Sequence, residues 1–235
     1  MMNFIGALAG ILNSDVSLNI LVDGNSLPAG QGSTAGNSFP EQLQRMSGIT
    51  ANDNPILNFA VGGQTTPQMI ADAATQIDPQ IDNTKDKNII IVWEGRNDLV
   101  VNSATVQVAY ENLRDYCQAR QSAGWEVIIL TLLPSWTAVY KGDNTVTGYN
   151  LLDSERIQVN TLLKNNQAIY SNYLVDVAAI SGISNLGDNE SLNYVFNTNT
   201  RPTTSVNGLF DDGTHMTDNG YFLIADAVNN VLIGF

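Results

Sequence analysis

The chain has 235 residues, a formal net charge of −13 and 43% hydrophobic residues. That length suits one well-buried domain, and so much apolar content argues against a disordered chain. An excess of 23 acidic over 10 basic residues argues against nucleic acid or anionic lipid as a partner, because both need a basic footprint.

Cys117 is the only cysteine, so no disulfide can form within the chain. No apolar run approaches the length of a membrane span. Residues 1–16 hold a short apolar stretch without a basic leader or a clear small-residue cleavage site, and read as a packing or attachment segment rather than a signal peptide. Residues 17–235 are expected to form a single domain. Scarce lysine beside plentiful Asn, Thr and Ser favours an extracellular or virion-associated setting over the cytoplasm.

In chain order, apolar runs of strand length cover residues 18–22, 56–61, 89–93, 127–133 and 173–177. Each is nearly continuous, as expected for strands buried on both faces. Helical patterns fall between them. The first covers residues 38–46. The next is a stripe of Met69, Ile70, Ala73, Ala74 and Ile77, followed by one of Val106, Tyr110, Leu113 and Cys117. Leu152, Val159, Leu162 and Leu163 suggest another, and Tyr221, Ile224, Ala225, Val228 and Leu232 form the last. Cys117 on such a stripe reads as a buried structural thiol. About five strands alternating with helices imply a parallel sheet covered on both sides, a three-layer α/β/α fold. Residues 181–214 form a long polar stretch before the last helix, and long loops of this kind are often functional.

Ligands bind beyond the carboxyl ends of strands in such sheets, so the strand exits deserve the closest reading. After the first strand comes Asp23-Gly24-Asn25-Ser26-Leu27. A serine there can be exposed on a tight turn, though it also reads as a helix cap. After the second comes Asn58 to Thr66, with Gly62-Gly63 able to bring backbone amides close to a ligand or simply to form a turn before Pro67. After the third comes Gly95-Arg96-Asn97-Asp98, where an asparagine could donate to an oxyanion or merely form a turn. Before the last helix comes Asp211-Asp212-Gly213-Thr214-His215. An acid three residues before a histidine can orient the ring and leave its other nitrogen free as a base. His215 is the sole histidine, which weakens any metal-site reading. Together the four segments provide one part for each role in nucleophilic catalysis by serine, whose hydroxyl needs a base to react at neutral pH.

With these residues the chain resembles the SGNH hydrolases, also called GDSL-type esterases and lipases, from about Leu18 to Leu232. The family's Gly-Asp-Ser-Leu block reads Gly24-Asn25-Ser26-Leu27 here, its second-block glycine matches Gly63, its Gly-x-Asn-Asp matches Gly95 to Asp98, and its Asp-x-x-His matches Asp212 to His215. The resemblance implies a flavodoxin-like sheet and a Ser26–His215–Asp212 triad. It also implies an oxyanion hole from the Ser26 amide, the Gly63 amide and the Asn97 side chain, with no metal or organic cofactor. One departure is Asn25, which keeps the shape of the family's aspartate but not its charge. Asp23 could restore that charge only in part, because its side chain is expected on the other face of the strand.

The implied activity is carboxylic-ester hydrolysis through an acyl-enzyme, with activity falling at acid pH as His215 takes up a proton. Short acyl groups on a carbohydrate are the favoured substrates, since the loops after the strands are polar and no long apolar lid is evident. Arg96, Trp136 and Tyr140 are candidate substrate contacts, although the two aromatics fit a packing role equally. A lipase or acyl-thioesterase on the same site is one alternative. A non-catalytic module of a viral or cell-surface assembly is another. The oligomeric state is not readable.

Overall fold

The structure, a computed structural model, describes residues 16–46, 55–135, 140–143, 146–181, 183 and 213–235, with residues 146–149 described by backbone only. The segment at residues 1–15, Trp136, Asp212 and most of the polar stretch before the last helix lie outside these residues.

Five strands form one parallel sheet in the order β2-β1-β3-β4-β5. They are β1 (Leu18–Gly24), β2 (Leu57–Asn58), β3 (Lys87–Trp93), β4 (Glu126–Leu130) and β5 (Tyr173–Val175). This is the flavodoxin-like order, whose direction reverses at β1, and such reversals open a crevice at the strands' carboxyl ends. The central pair is fully in register, from Leu18 opposite Lys87 to Gly24 opposite Trp93.

Side chains alternate across each strand, so the apolar runs feed two cores at once. Ile20, Val22, Ile89, Ile91, Ile128 and Leu130 face one layer. Its helices are α1 (Phe39–Met46) and α6 (Asp218–Leu232), which contribute Phe39, Leu43, Tyr221, Ile224 and Val228. Leu21, Ile90, Val92, Val127 and Ile129 face the other layer, built from α2 (Thr66–Gln76), α4 (Val106–Ala123) and α5 (Val146–Asn166). Cys117 is fully buried in this second layer, and burial pushes its thiol well above the ordinary range.

Several elements differ from the sequence expectation. Strand β2 shrinks to two residues, because beyond Asn58 only alternate amides still reach β1: Phe59 to the Val22 carbonyl at 2.8 Å and Val61 to Gly24 at 2.9 Å. Strand β4 stops at Leu130. Two residues later Leu132 gives its N–H to Asn160 Oδ1 and takes Asn160 Nδ2 on its carbonyl, both at 2.8 Å, so a side chain of α5 replaces a neighbouring strand. The segment after β3, read as an oxyanion donor or a turn, is a short helix, α3 (Arg96–Val100).

Candidate active site

The exits of β1 and β3, neighbours in the centre of the sheet, form the floor of the site. Gly24 ends β1 with φ +149°, and a Cβ there would stand 2.2 Å from the Trp93 carbonyl oxygen. Only glycine lets the chain leave β1 this close to β3. The next residues close a series of tight turns. Asn25 Oδ1 accepts the Leu27 N–H at 2.8 Å, and the Ser26 carbonyl accepts from Gln31 at 3.0 Å. No helix begins at Ser26; the next one, α1, starts at Phe39. Ser26 is left half-buried at the apex.

His215 lies just before α6, 7% exposed, with Nε2 at 2.9 Å from Ser26 Oγ. Several bonds hold the two segments together. Thr34, on the loop that follows Ser26, gives its N–H and its hydroxyl to Asp218, the first residue of α6. Gln42 Nε2 donates to the Asp218 carbonyl at 2.8 Å, and the Tyr221 hydroxyl donates to the Gln31 carbonyl at 2.7 Å. The Thr34 bonds hold the Asp218 carboxyl below the usual carboxylate range.

On the other side of Ser26 stands the Gly62–Gly63 turn. A Cβ on Gly62 would lie 4.0 Å from Ser26 Cβ, and Gly63 has φ +82°. That backbone conformation is open to glycine and costly for other residues. Neither the Ser26 N–H nor the Gly63 N–H has a hydrogen-bond acceptor among the described residues. Asn97, 5% exposed, gives one of its two side-chain hydrogens to the Gln64 carbonyl at 2.8 Å. Beside it, Asp98 Oδ1 accepts the Thr66 N–H at 3.0 Å. The exit of β3 thus braces the glycine turn.

Buried acids underlie these turns. Glu94, at the end of β3, accepts the Asn97 N–H on Oε1 at 3.0 Å. Burial, aided by the nearby Asp98, pushes its carboxyl well above the usual range. Burial also raises Asp98. Asp23 points away from Ser26, as the strand alternation requires, and accepts the Tyr116 hydroxyl from α4. Its carboxyl is pushed up to about 6 by burial, against the lowering effect of the Tyr116 and Gly24 hydrogen bonds.

His215 therefore meets Ser26, the turn that holds Gly63 stands beside Ser26, and Asn97 braces that turn through Gln64, while Asp212 lies outside the described residues. The substrate-contact expectations fare differently. Tyr140 is corrected: it is 1% exposed, packs in the layer beneath α4 and α5, and gives its hydroxyl to Glu155, so it forms no open wall. Trp136 lies outside the described residues. The Arg96 guanidinium is engaged within the protein, with Nε donating to Ser135 Oγ at 2.7 Å, Nη1 to Asn97 Oδ1 at 3.2 Å and Nη2 to Thr214 Oγ1 at 3.5 Å. It braces the segments that carry Asn97 and His215. Glu94 and Asp218 were missed from the sequence; an acid directly after the buried run of β3 was a signal for the first. Among the described residues, no three His, Cys, Asp or Glu side chains gather as a metal cluster, and no helix is long and apolar enough to cross a membrane.

The family model for GDSL-like lipases and acylhydrolases matches residues 20–228. The chain belongs to this family. It is a serine hydrolase acting on esters. A search of curated proteins finds no relative. Among solved structures, a lipolytic protein of the G-D-S-L family from Veillonella parvula is similar at 19% identity and a TM-score of 0.63, covering 92% of this chain and 98% of its own. A lipase/acylhydrolase from Enterococcus faecalis follows at 15% identity and 0.62, covering 92% and 96%. An acetyl xylan esterase has 14% identity and 0.59, covering 90% and 99%. At these identities the likeness shows the GDSL fold alone.

Proposed function

We propose that Ser26 is the nucleophile of this GDSL hydrolase and His215 its general base, and that the enzyme removes short acyl groups, acetyl above all, from a carbohydrate. The observation that carries the reading is the 2.9 Å contact between His215 Nε2 and Ser26 Oγ, within the reach a nucleophile and its base require. His215 takes the hydroxyl proton as Ser26 Oγ bonds to the ester carbon. Asp212 orients the ring and stabilises the imidazolium. The carbonyl oxygen becomes an oxyanion facing the Ser26 and Gly63 amides and the second side-chain hydrogen of Asn97. Each well-placed donor contributes about 3 kcal/mol to the transition state. His215 returns the proton to the departing alcohol, and water then repeats the sequence on the acyl-enzyme.

The substrate reading rests on the surroundings. A groove of about 440 Å³ adjoins the glycine turn, lined by Gln64, Gln68, Asp72 and Gln76 with Val61 and Ala71. Its amides and carboxylate can hydrogen-bond hydroxyl groups, beside an apolar surface at Val61 and Ala71. A solved protein of the same fold is described as an acetyl xylan esterase. The test is a panel of p-nitrophenyl acetate, p-nitrophenyl octanoate and acetylated xylo-oligosaccharide, read as kcat/KM. The acetyl substrates should be preferred, the oligosaccharide most. Preference for octanoate would overturn the carbohydrate reading in favour of a lipase.

A further inference from the structure

The polar groups of Asn97 are almost all committed. Its backbone N–H goes to Glu94 Oε1 at 3.0 Å, and its carbonyl accepts from Val101 at 2.8 Å and Asn102 at 3.2 Å. In the side chain, Nδ2 gives one hydrogen to the Gln64 carbonyl at 2.8 Å, and Oδ1 accepts from Arg96 Nη1 at 3.2 Å. The second Nδ2 hydrogen has no acceptor among the described residues. Its direction depends on how the amide plane is set.

The Gln64 bond alone does not set that plane. The terminal torsion of asparagine is soft, so an amide anchored only at its nitrogen can still turn about that anchor. A second anchor at the oxygen removes this freedom, and a charged donor supplies it more strongly than a neutral one. Arg96 is itself a long side chain that must be pinned before it can pin another group. Its Nε donates to Ser135 Oγ at 2.7 Å and its Nη2 to Thr214 Oγ1 at 3.5 Å, and both of these partners are 5% exposed. The planar fork of the guanidinium lets one group reach all three acceptors. Ser135 follows β4, and Thr214 directly precedes His215. The orientation of the Asn97 amide is thus referred to the same segment that carries the histidine.

We propose that Arg96, held by Ser135 and Thr214, is a positioning residue that fixes the plane of the Asn97 amide and so aims its second hydrogen at the oxyanion. Arg96 acts through Asn97 and not on the substrate. The inference rests on the reading of Asn97 as an oxyanion donor, and it goes beyond that reading by naming what orients the donor.

The test is a double-mutant cycle on the full chain: Arg96→Gln and Arg96→Lys, each alone and combined with Asn97→Ala, with kcat and KM for p-nitrophenyl acetate and Tm for every variant. Arg96→Gln should lower kcat by about tenfold with KM within about twofold of the wild type, because a misaimed donor is lost only in the transition state. Arg96→Lys keeps the charge but offers one nitrogen to three acceptors, and should lower kcat by about threefold. In the Asn97→Ala background neither change should lower kcat by more than about twofold, since the group it positions is gone. Three results would overturn the proposal: wild-type kcat in Arg96→Gln, a loss confined to KM, or the same tenfold loss with and without Asn97. The last is what a purely structural brace of the His215 segment gives. If Arg96→Gln folds poorly, as its Tm would show, Arg96→Lys carries the same comparison. Asn97→Ala alone separates the two readings. An unchanged kcat there defeats the oxyanion reading itself, whereas a large loss in Asn97→Ala with none in Arg96→Gln defeats only the positioning role.

Discussion

Thr34 donates its backbone N–H and its hydroxyl to the two carboxylate oxygens of Asp218, each at 2.7 Å, across 184 residues of chain. The contact joins the loop after Ser26 to the first turn of α6, three residues beyond His215. Asn37 adds a further bond to the same carboxylate at 3.2 Å. The spacing of Ser26 and His215 is thus supported by a clasp outside the proposed reacting atoms.

Removal of the clasp in Asp218→Ala should lower kcat by about tenfold or more, since a displacement near 1 Å can cost roughly a hundredfold. KM for a small ester should change little. Because the Asp218 carboxyl sits below the usual range, the clasp is fully present above the ordinary carboxylate pKa and is lost as pH falls through the depressed value. Steady-state kinetics checks this, and an unchanged kcat would show that His215 is held by other contacts.

Asn97→Ala removes the proposed oxyanion donor and should reduce kcat by about a hundredfold, the usual scale for one such group. The bond to the Gln64 carbonyl is lost as well, so Tm should also fall. A drop confined to KM would place Asn97 in ground-state binding instead.

Asp23 makes a stability prediction with a defined sign. Its folded carboxyl titrates at about 6, above the ordinary 3.8, so the folded state binds a proton more tightly than the unfolded chain. Its favourable contribution is complete below about pH 4 and is lost as pH rises to about 6, on the order of 3 kcal/mol. Asp23→Asn keeps an acceptor for the Gly24 N–H and does not titrate. Its Tm should therefore gain on that of the wild type across pH 4 to 6 and hold the gain above. A constant difference across the window would mean that Asp23 is not the titrating group.

The parallel sheet was legible because the run at 89–93 is apolar at every position and that at 18–22 at every position but Asn19, a pattern that suits a strand covered on both faces. The family was legible because the motifs around Ser26, Gly63, Asn97 and His215 each stand at the boundary of an element, where local pattern and family motif coincide. Tyr140 was not: an aromatic after a strand fits a core as well as a binding wall, and only the position of Glu155 on α5 decides between them. Arg96 likewise took its role from Ser135 and Thr214, remote in sequence. Glu94 and the Thr34–Asp218 clasp depend on which side chains the fold brings face to face, and no local periodicity encodes that. The shortening of β4 has the same origin, in the reach of Asn160 from α5.

The central claim is tested most directly by hydrolysis of p-nitrophenyl acetate by Ser26→Ala beside the wild type, with folding checked by circular dichroism. The account predicts that the variant keeps the fold and loses at least about a thousandfold in kcat, as removal of a serine nucleophile does. Hydrolysis that persists at the wild-type rate in Ser26→Ala would contradict it and place the nucleophile elsewhere.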